Sequence, residues 1–180
     1  MRWILEAENS YTDYTLDVSS SSLITNELKV PFKISFVKLD LDSMYLASSS
    51  WNTSCIYSYT GTSRKIGAVR GFLSSFDERD GSVIASVQKW NDFAVWYKTP
   101  SDKARVLLRS QYLLSDLLLA NDSMVLFNAG VDGIINGKVL NLNSRSVASL
   151  TNYRYNITSH QYGQKVFAEY INKGNYAELF

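Results

Sequence analysis

The 180-residue sequence is long enough for one domain with a sizeable core, since 46% of its residues are hydrophobic and 13% are aromatic. A formal net charge of +1, with acidic and basic residues evenly scattered, provides no basic face and argues against a nucleic-acid partner. No stretch approaches the roughly 18 to 20 continuous apolar residues of a membrane span, and acidic residues come too early for a signal peptide. We therefore expect an intracellular protein, in the cytoplasm or nucleus, that does not contact a membrane.

The N-terminal segment 1–32 contains two alternating apolar runs, at 3–7 and 14–18, that are typical of strands. The serine run 19–22 that follows is typical of a short flexible linker. We interpret the segment as an N-terminal extension, and either of its strand candidates is available to complete the last unit of the main domain.

From residue 33 onward, short runs rich in Val, Ile, Tyr, Phe and Trp are separated by clusters of Gly, Asn, Asp and Ser, the pattern of strands joined by tight turns. The runs group into four units, at about 33–71, 72–110, 111–151 and 152–180. The predicted strands of the first two units are 34–39, 44–49, 54–59, 64–70, 72–76, 83–87, 93–98 and 104–109. Those of the last two units are 112–119, 124–128, 135–142, 146–150, 153–158, 165–170 and 176–180.

The segment 111–120 is ambiguous between strand and helix, because several of its leucines also fall at helical spacing. We predict a strand, since the segment occupies the place of a first strand in its unit and its neighbours are extended.

The units share a period of about 40 residues with four strands each, the sequence pattern of a β-propeller blade. A single four-stranded sheet cannot cover both of its faces, so each unit needs neighbours. Small residues lie on the second strand of successive units, where a bulky side chain would crowd the adjacent sheets: Ala47 and Ser48, Ala85 and Ser86, and Ala129 and Gly130. We predict an all-β fold, a partial or small β-propeller of about four four-stranded blades.

The first unit, ISFVKLDLDSMYLASSSWNTSCIYSYTGTSRKIGAVRGF at 34–72, resembles a WD repeat. It has the family order of a first strand, an Asp-containing turn, L-A-S-x-S-W, a polar turn, an alternating third strand that ends in aromatics, and a fourth strand that leads to Gly71. NAGVDGIINGKVLNL at 128–142 resembles the family turn Gly-x-Asp-Gly. The resemblance covers 33–180 and implies a propeller that binds other proteins and catalyses no reaction.

The chain departs from the family pattern at two places in each repeat. Ser58-Tyr59, Trp96-Tyr97 and Asn141-Leu142 stand where the family has Trp-Asp. Gly71-Phe72, Arg109-Ser110 and Thr151-Asn152 stand where the family has Gly-His. The family's histidine bonds to the turn aspartate, so Asn52, Asp92 and Asp132 lack that partner here, and we expect them to be satisfied locally in less rigid blades.

The number of units leaves the assembly open, because WD-repeat propellers usually have about seven blades and the fourth unit here has only three predicted strands. An N-terminal strand would close a four-blade ring. We favour an open or shared arrangement, in which a second copy or a different protein completes the propeller. The alternative architecture is a β-trefoil, whose three units of about 40 residues also carry four strands each.

The sequence offers little material for catalysis or for metal and cofactor binding. The one histidine, His160, falls in a predicted surface turn, and the one cysteine, Cys55, lies at an apolar position where we expect a buried, inert thiol. The acidic stretch 77–81 mixes charges and ends in Asp-Gly, as solvated turns do, and the glycines of 130–133 have the wrong spacing for a phosphate loop. We predict no catalytic residue, no cofactor and no metal.

Aromatic residues are the more informative group, because large amphipathic rings at a rim anchor protein partners, although they also seal one blade against the next. The six partner-binding candidates are Trp51 and Trp90, at equivalent turns, and Tyr57, Tyr59, Trp96 and Tyr97, on third strands. Our hypothesis is a non-catalytic scaffold, a WD-repeat-like subunit of an intracellular complex that binds proteins through blade rims or open sheet edges. The alternative is a β-trefoil that binds carbohydrate or a filament surface.

Overall fold

The fold is known from a computed structural model. Its backbone is described for 2–7, 10–17, 19–39, 43–151, 157–162, 166–173 and 176–179. Its side chains are described for 4–7, 10–16, 19–39 and 43–151. The predicted turn 40–42 lies outside these residues.

The described residues form five sheets in chain order, and within each sheet every strand pairs with the next strand of the sequence. Sheet I contains β1 (Arg2–Ala7), β2 (Ser10–Asp17) and β3 (Ser22–Leu28). Sheet II contains β4 (Phe36–Leu39), β5 (Met44–Ser48), β6 (Ser54–Tyr59) and β7 (Ser63–Val69). Sheet III contains β8 (Phe72–Arg79), β9 (Ser82–Lys89), β10 (Asp92–Lys98) and β11 (Arg105–Ser110). Sheet IV contains β12 (Leu114–Asn121), β13 (Met124–Val131), β14 (Ile134–Asn141) and β15 (Val147–Ser149), and sheet V contains β16 (Ile157–Tyr162), β17 (Val166–Lys173) and β18 (Tyr176–Leu179).

Successive antiparallel meanders of four strands are propeller blades, and they confirm the predicted all-β fold of a partial propeller. The β-trefoil alternative is excluded by this architecture, so the hypothesis of a carbohydrate- or filament-binding trefoil loses its structural basis.

Two tight turns confirm the turn chemistry expected from the sequence. Arg79 pairs with Ser82 across Asp80-Gly81, and Val131 pairs with Ile134 across Asp132-Gly133. All four turn residues have φ between 51° and 80°, as turns of type I′ require.

The N-terminal segment forms a sheet of its own. The two strand candidates 3–7 and 14–18 correspond to β1 and β2, which pair with each other, and β2 also pairs with β3. The serine run was predicted to be a flexible linker; instead it makes the hairpin turn between β2 and β3, in which Ser21 has a φ of 54°. The strand β3 was missed because its side chains are nearly all exposed and do not alternate.

The strand β16 also differs from its prediction. The sequence placed a strand at 153–158 and a polar turn around His160, whereas the structure extends β16 to Tyr162 and pairs His160 with Ala168 of β17. Polar side chains do not prevent a strand whose backbone groups bond to a neighbour, so the turn prediction was wrong. Residues 152–156 lie outside the described residues.

The chain divides into two compact units, each described here by itself. Unit 1 consists of Met1–Ser49 and Cys55–Ala68, and unit 2 of Ser50–Ser54 and Val69–Phe180. The core of unit 1 lies between sheets I and II and contains Tyr11, Leu28, Ile34, Met44 and Leu46. Within this core the hydroxyl of Tyr11 accepts a hydrogen bond from the backbone N–H of Ile34 at 2.9 Å.

The core of unit 2 lies between sheets III and IV. It is formed by one face of each sheet and contains Ile84, Val95, Tyr97, Leu107, Leu114, Leu117, Leu119, Val125, Phe127, Ala129, Leu140 and Leu142. The small residues predicted to suit close packing on second strands are buried here, as Ala85, Ser86 and Ala129 are at most 7% exposed.

The segment that was ambiguous between helix and strand is the strand β12, interrupted by a β-bulge. The bulge lies between Ser115 and Leu118, and Asp116 has a φ of 51°. The carboxylate of Asp116 accepts a hydrogen bond from the side-chain amide of buried Asn128 at 2.9 Å. Because the bulge adds a residue, Leu114 and Leu117 both face the core at a spacing of three, which explains the helix-like pattern in the sequence.

Side-chain hydrogen bonds join the first strands of sheets III and IV, β8 and β12. We call this contact the β8–β12 seam. In each bond a side chain of sheet III meets a backbone group of β12: Leu119 N donates to Asp77 Oδ2 (2.6 Å), Leu117 N to Ser75 Oγ (2.8 Å), and Leu114 O accepts from Ser74 Oγ (2.9 Å) and Ser86 Oγ (2.6 Å). The seam therefore fixes sheet III on sheet IV through hydrogen bonds from side chains to backbone groups.

Candidate functional site

Exposed apolar side chains of unit 2 gather at one end of its sheets. This end carries the turns between second and third strands and the connections from each fourth strand to the next first strand. Among the described residues, it holds seven of the nine large hydrophobic side chains that are exposed in unit 2. We call these seven the apolar rim: Trp51, Phe72, Trp90, Tyr112, Leu113, Val131 and Leu150. The other two, Met124 and Val147, lie at the opposite end of sheet IV.

Trp51 is held at the rim by the start of β8. Its ring lies against that of Phe72, with centroids 5.3 Å apart, and remains 68% exposed. Gly71 N donates to Asn52 O at 3.3 Å, and Ser54 Oγ donates to Gly71 O at 2.8 Å. Gly71 has a φ of 123°, and a Cβ there would lie 2.7 Å from the carbonyl oxygen of Gln88, so the close approach requires glycine.

Trp90 occupies the tip of the hairpin between β9 and β10. Lys89 pairs with Asp92 across it, and Gln88 Nε2 donates to Trp90 O at 3.1 Å. Its φ is 56°, in the left-handed region that bulky residues avoid, and its side chain is 82% exposed. A large ring is thus presented to solvent from a backbone position that suits glycine or asparagine better.

Sheet IV completes the rim with Tyr112 and Leu113, which precede β12. Gly130 N donates to Leu113 O at 3.0 Å, which places Leu113 beside Val131 at the end of β13. Leu150 follows β15 and donates from its backbone N–H to Gly137 O at 3.0 Å. Exposed apolar side chains are therefore present at this end of both sheet III and sheet IV.

The structure separates the six predicted partner-binding residues. Trp51 and Trp90 lie at the rim, whereas the third-strand aromatics take part in packing. Tyr97 belongs to the core of unit 2, with the Arg105 guanidinium 5.8 Å from its ring centroid. Trp96 is half-buried, and its indole N–H has no hydrogen-bond partner among the described residues.

The two tyrosines among the six lie in unit 1. Tyr57 stacks on Phe32, with centroids 4.1 Å apart and planes at 15°. Desolvation by burial, together with neighbouring Cys55, raises the pKa of the Tyr57 hydroxyl above its usual value of 10.0. Tyr59 packs against the core of unit 1, and its hydroxyl accepts a hydrogen bond from Lys29 N at 3.3 Å.

The rim residues that the sequence did not single out are Phe72, Tyr112, Leu113, Val131 and Leu150. They stand at the ends of strands or just outside them, where apolar residues resemble the core residues of the same strand. The signal that was available is their place next to the turns that carry Trp51 and Trp90.

The acidic stretch at the end of β8 is structural. Asp77 is 3% exposed, and its carboxylate accepts the hydrogen bond from Leu119 N that belongs to the β8–β12 seam. Glu78 Oε1 accepts one from Gly81 N at 2.6 Å and so fixes the hairpin turn. The expectation of a solvated turn was therefore wrong for Asp77 and Glu78, since Glu78 is also buried, at 7% exposure.

The residues considered for catalysis and metal binding remain apart. Cys55 is half-buried in β6, and the side chain of His160 lies outside the described residues. Within the described part of the chain, His, Cys, Asp and Glu side chains do not gather in any group of three or more that could bind a metal ion.

A cavity of about 510 Å³ in unit 1 was not foreseen from the sequence. Its lining includes Asp13, Glu27, Lys29, Met44 and Tyr59, and Asp13 is buried there.

None of the described residues belongs to a helix long and apolar enough to cross a membrane.

No protein-family model matches the chain, and no curated protein matches its sequence. Solved structures do match. A putative TolB from Agrobacterium tumefaciens superposes with a TM-score of 0.65 at 14% identity, covering 99% of this chain and 76% of that one. The dipeptidyl peptidase 4 of Porphyromonas gingivalis gives 0.61 at 9% identity, covering 89% and 26%, and the N-terminal domain of Nup159 gives 0.50 at 8% identity, covering 94% and 56%.

These likenesses confirm the propeller fold. They also show that the chain spans about a quarter of the peptidase and about half of the Nup159 domain. Because the identities are low, the comparisons establish the fold alone.

Proposed function

We propose that the chain is a non-catalytic protein-interaction scaffold, a WD-repeat-like subunit of an intracellular complex, and that it binds a partner protein through the apolar rim. The observation that carries this proposal is the gathering of seven exposed hydrophobic side chains at one end of unit 2, with Trp90 82% exposed at its hairpin tip.

Two physical arguments support this reading of the rim. Contiguous exposed apolar surface is unfavourable in a monomer, and tryptophan and tyrosine are the residues that most often dominate the binding energy of interfaces. A bulky residue in the left-handed region also costs stability, and such strain is concentrated at functional sites. The ring of Trp90 makes no ring contact among the described residues that would offset this cost.

The scaffold role includes completion of the propeller. The described strands form three four-stranded and two three-stranded sheets, fewer than a WD-repeat propeller usually has, and we propose that a partner protein supplies the remainder, with a second copy of this chain as the alternative. The propeller folds among the matched structures, which span both a peptidase and a TolB, are compatible with this role and do not require it.

The proposal is tested by site-directed photo-crosslinking in cells. A photoreactive phenylalanine analogue replaces Trp90 in one variant and Lys103, in the loop at the opposite end of sheet III, in the matched control. We expect a defined protein crosslinked from position 90 and absent from position 103. The protein identified in this way should also co-purify with the parent chain, and it should be lost from the co-purification when Trp51→Ser and Trp90→Ser are combined in a chain whose circular dichroism is unchanged. Retention of that protein by the double variant would contradict the proposal.

A further inference from the structure

We infer that the apolar rim takes a short acidic peptide segment that carries an aromatic or aliphatic anchor residue. This inference rests on the proposed function, and it specifies the chemistry of the partner.

Three exposed cationic side chains lie at the end of sheet III that carries the apolar rim. Arg70 precedes the close approach of Gly71 to Asn52, Lys89 precedes Trp90, and Arg109 lies near the end of β11. The register places Arg109 opposite Ala94. At this end of sheet III the only exposed carboxylate in the described residues is that of Asp92.

None of these three cations forms an ion pair with a described carboxylate. They therefore keep their charge available at the same end of sheet III as Phe72 and Trp90. Asp132, on the hairpin of sheet IV, limits the positive region to the sheet III part of the rim.

The opposite end of sheet III has a different character. There Arg79 lies 3.6 Å from Asp80, and its guanidinium also donates to the carbonyl oxygens of Leu119 and Ala120. Asp102 is engaged by the hydroxyl of Thr99 at 2.9 Å. At that end of sheet III no large hydrophobic side chain is exposed among the described residues, although Lys103 is exposed without an ion pair there. Within sheet III, exposed apolar surface and available positive charge therefore coincide at the rim end.

This combination selects acidic partners. Apolar anchors supply most of the affinity, whereas unpaired positive charges at the edge of an interface attract carboxylates and disfavour basic sequences. We commit to a short peptide segment because the cations and rings lie on turns and connections at one common end of successive strands.

The experiment compares two labelled dodecapeptides by fluorescence anisotropy. The first has one Phe and one Leu among Glu and Ser residues, and the second replaces every Glu by Lys. We expect the acidic peptide to bind at least about tenfold more tightly, and its binding to weaken as salt is raised. The Lys89→Glu and Arg109→Glu variants should each weaken it about threefold or more. Lys103→Glu, an equal charge change at the opposite end, should leave it unchanged.

Equal or tighter binding of the basic peptide would overturn the inference. So would binding of the acidic peptide that is undetectable or insensitive to Lys89→Glu and Arg109→Glu, given thermal melts that show the variants to be folded. The proposed function fails separately, since it depends on loss of the crosslinked protein in the combined Trp51→Ser and Trp90→Ser variant. If that protein is lost while the charge reversals have no effect on the peptide, only the acidic preference is wrong.

Discussion

Trp90 combines high exposure with an unfavourable backbone conformation. The left-handed conformation costs a residue with a side chain about 1–2 kcal/mol, which glycine does not pay. Little burial is lost when the ring is removed, because it is 82% exposed. We therefore expect Trp90→Gly to keep or raise the free energy of unfolding, by up to about 1 kcal/mol, while it weakens partner binding. Urea unfolding followed by circular dichroism measures the first effect.

The matched control at this position is Trp90→Val, since a β-branched residue is especially unfavourable at positive φ. It should lower the free energy of unfolding relative to Trp90→Gly. If Trp90→Gly proves to be less stable than the parent chain, the ring has a structural role and the interface argument is weakened.

Gly133 is a second position at which backbone conformation alone determines the effect of a substitution on stability. Its φ is 77°, and no atom lies within 4 Å of the place where a Cβ would be. We expect Gly133→Val to lower the free energy of unfolding by about 1–2 kcal/mol through backbone strain without any clash. Gly133→Asn should cost less, because asparagine tolerates this conformation. Equal melting temperatures for Gly133→Val and the parent chain would disprove the Asp-Gly turn.

Tyr57 makes the stability of the chain fall with rising pH in the alkaline range. Burial raises the pKa of its hydroxyl above 10.0, so the unfolded chain releases this proton first as the pH rises. The contribution of Tyr57 is fully present below pH 10 and is lost as the pH rises through the pKa of the folded state. Urea titrations at pH 8 and pH 11 should therefore show a smaller loss of stability for Tyr57→Phe than for the parent.

At the scale of single residues, the sequence predicted solvent exposure at turns better than on strands. Trp51 and Trp90 were placed at a rim because equivalent turns of two units carry the same residue, and both side chains are exposed there. Tyr97 was grouped with them, yet alternation directs Val95 and Tyr97 to the core face of β10 and leaves Trp96 on the other. Which face is covered depends on the packing of a second sheet, and a single strand does not contain that information.

At the scale of the elements, the β8–β12 seam joins two sheets through polar groups. Removal of the Asp77 carboxylate leaves the N–H of Leu119 buried without its acceptor. We expect Asp77→Ala to lower the free energy of unfolding by about 1–3 kcal/mol, the typical cost of an unsatisfied buried group. The corresponding fall in melting temperature, about 2–4 °C for each kcal/mol, is measurable by calorimetry.

A second variant tests a neutral hydrogen bond of the β8–β12 seam, so that its effect does not depend on the carboxylate of Asp77. Ser86→Ala removes one neutral donor to Leu114 O and should cost about 0.5–1.5 kcal/mol. Ser101→Ala, in the exposed loop between β10 and β11, should be close to neutral. If Asp77→Ala and Ser86→Ala are both as mild as Ser101→Ala, the seam does not hold the sheets together.

The sequence predicted most strands because alternation and turn residues are local signals. The strand β6 was placed at its observed bounds, 54–59, and β12 was identified in spite of its helical spacing. The strand β3 and the end of β16 were missed, since Leu23 and Ile24 are exposed neighbours and the residues around His160 are polar. Their strand character comes from pairing with β2 and β17, which is a non-local cause.

At the scale of the whole molecule, the charge and length of the edge strands affect whether the chain can associate with other copies. The last strands of sheets II and III carry exposed cations, Arg64 and Lys65 on β7 and Arg105 and Arg109 on β11. The last strand of sheet IV, β15, has only three residues. Edge charges and short edge strands are means by which natural sheets avoid pairing with other copies. These edges are therefore poor surfaces for self-association, and recognition is left to the apolar rim.

This argument favours a different protein over a second copy as the partner that completes the propeller. We expect light scattering on the purified chain at micromolar concentration to give the monomer mass of 20.4 kDa. Combined Arg64→Val and Lys65→Val should produce species of higher mass, because the edge of β7 then becomes apolar and uncharged. Lys103→Val, in a loop, should leave the mass unchanged. A dimer of the parent chain at micromolar concentration would instead support completion by a second copy.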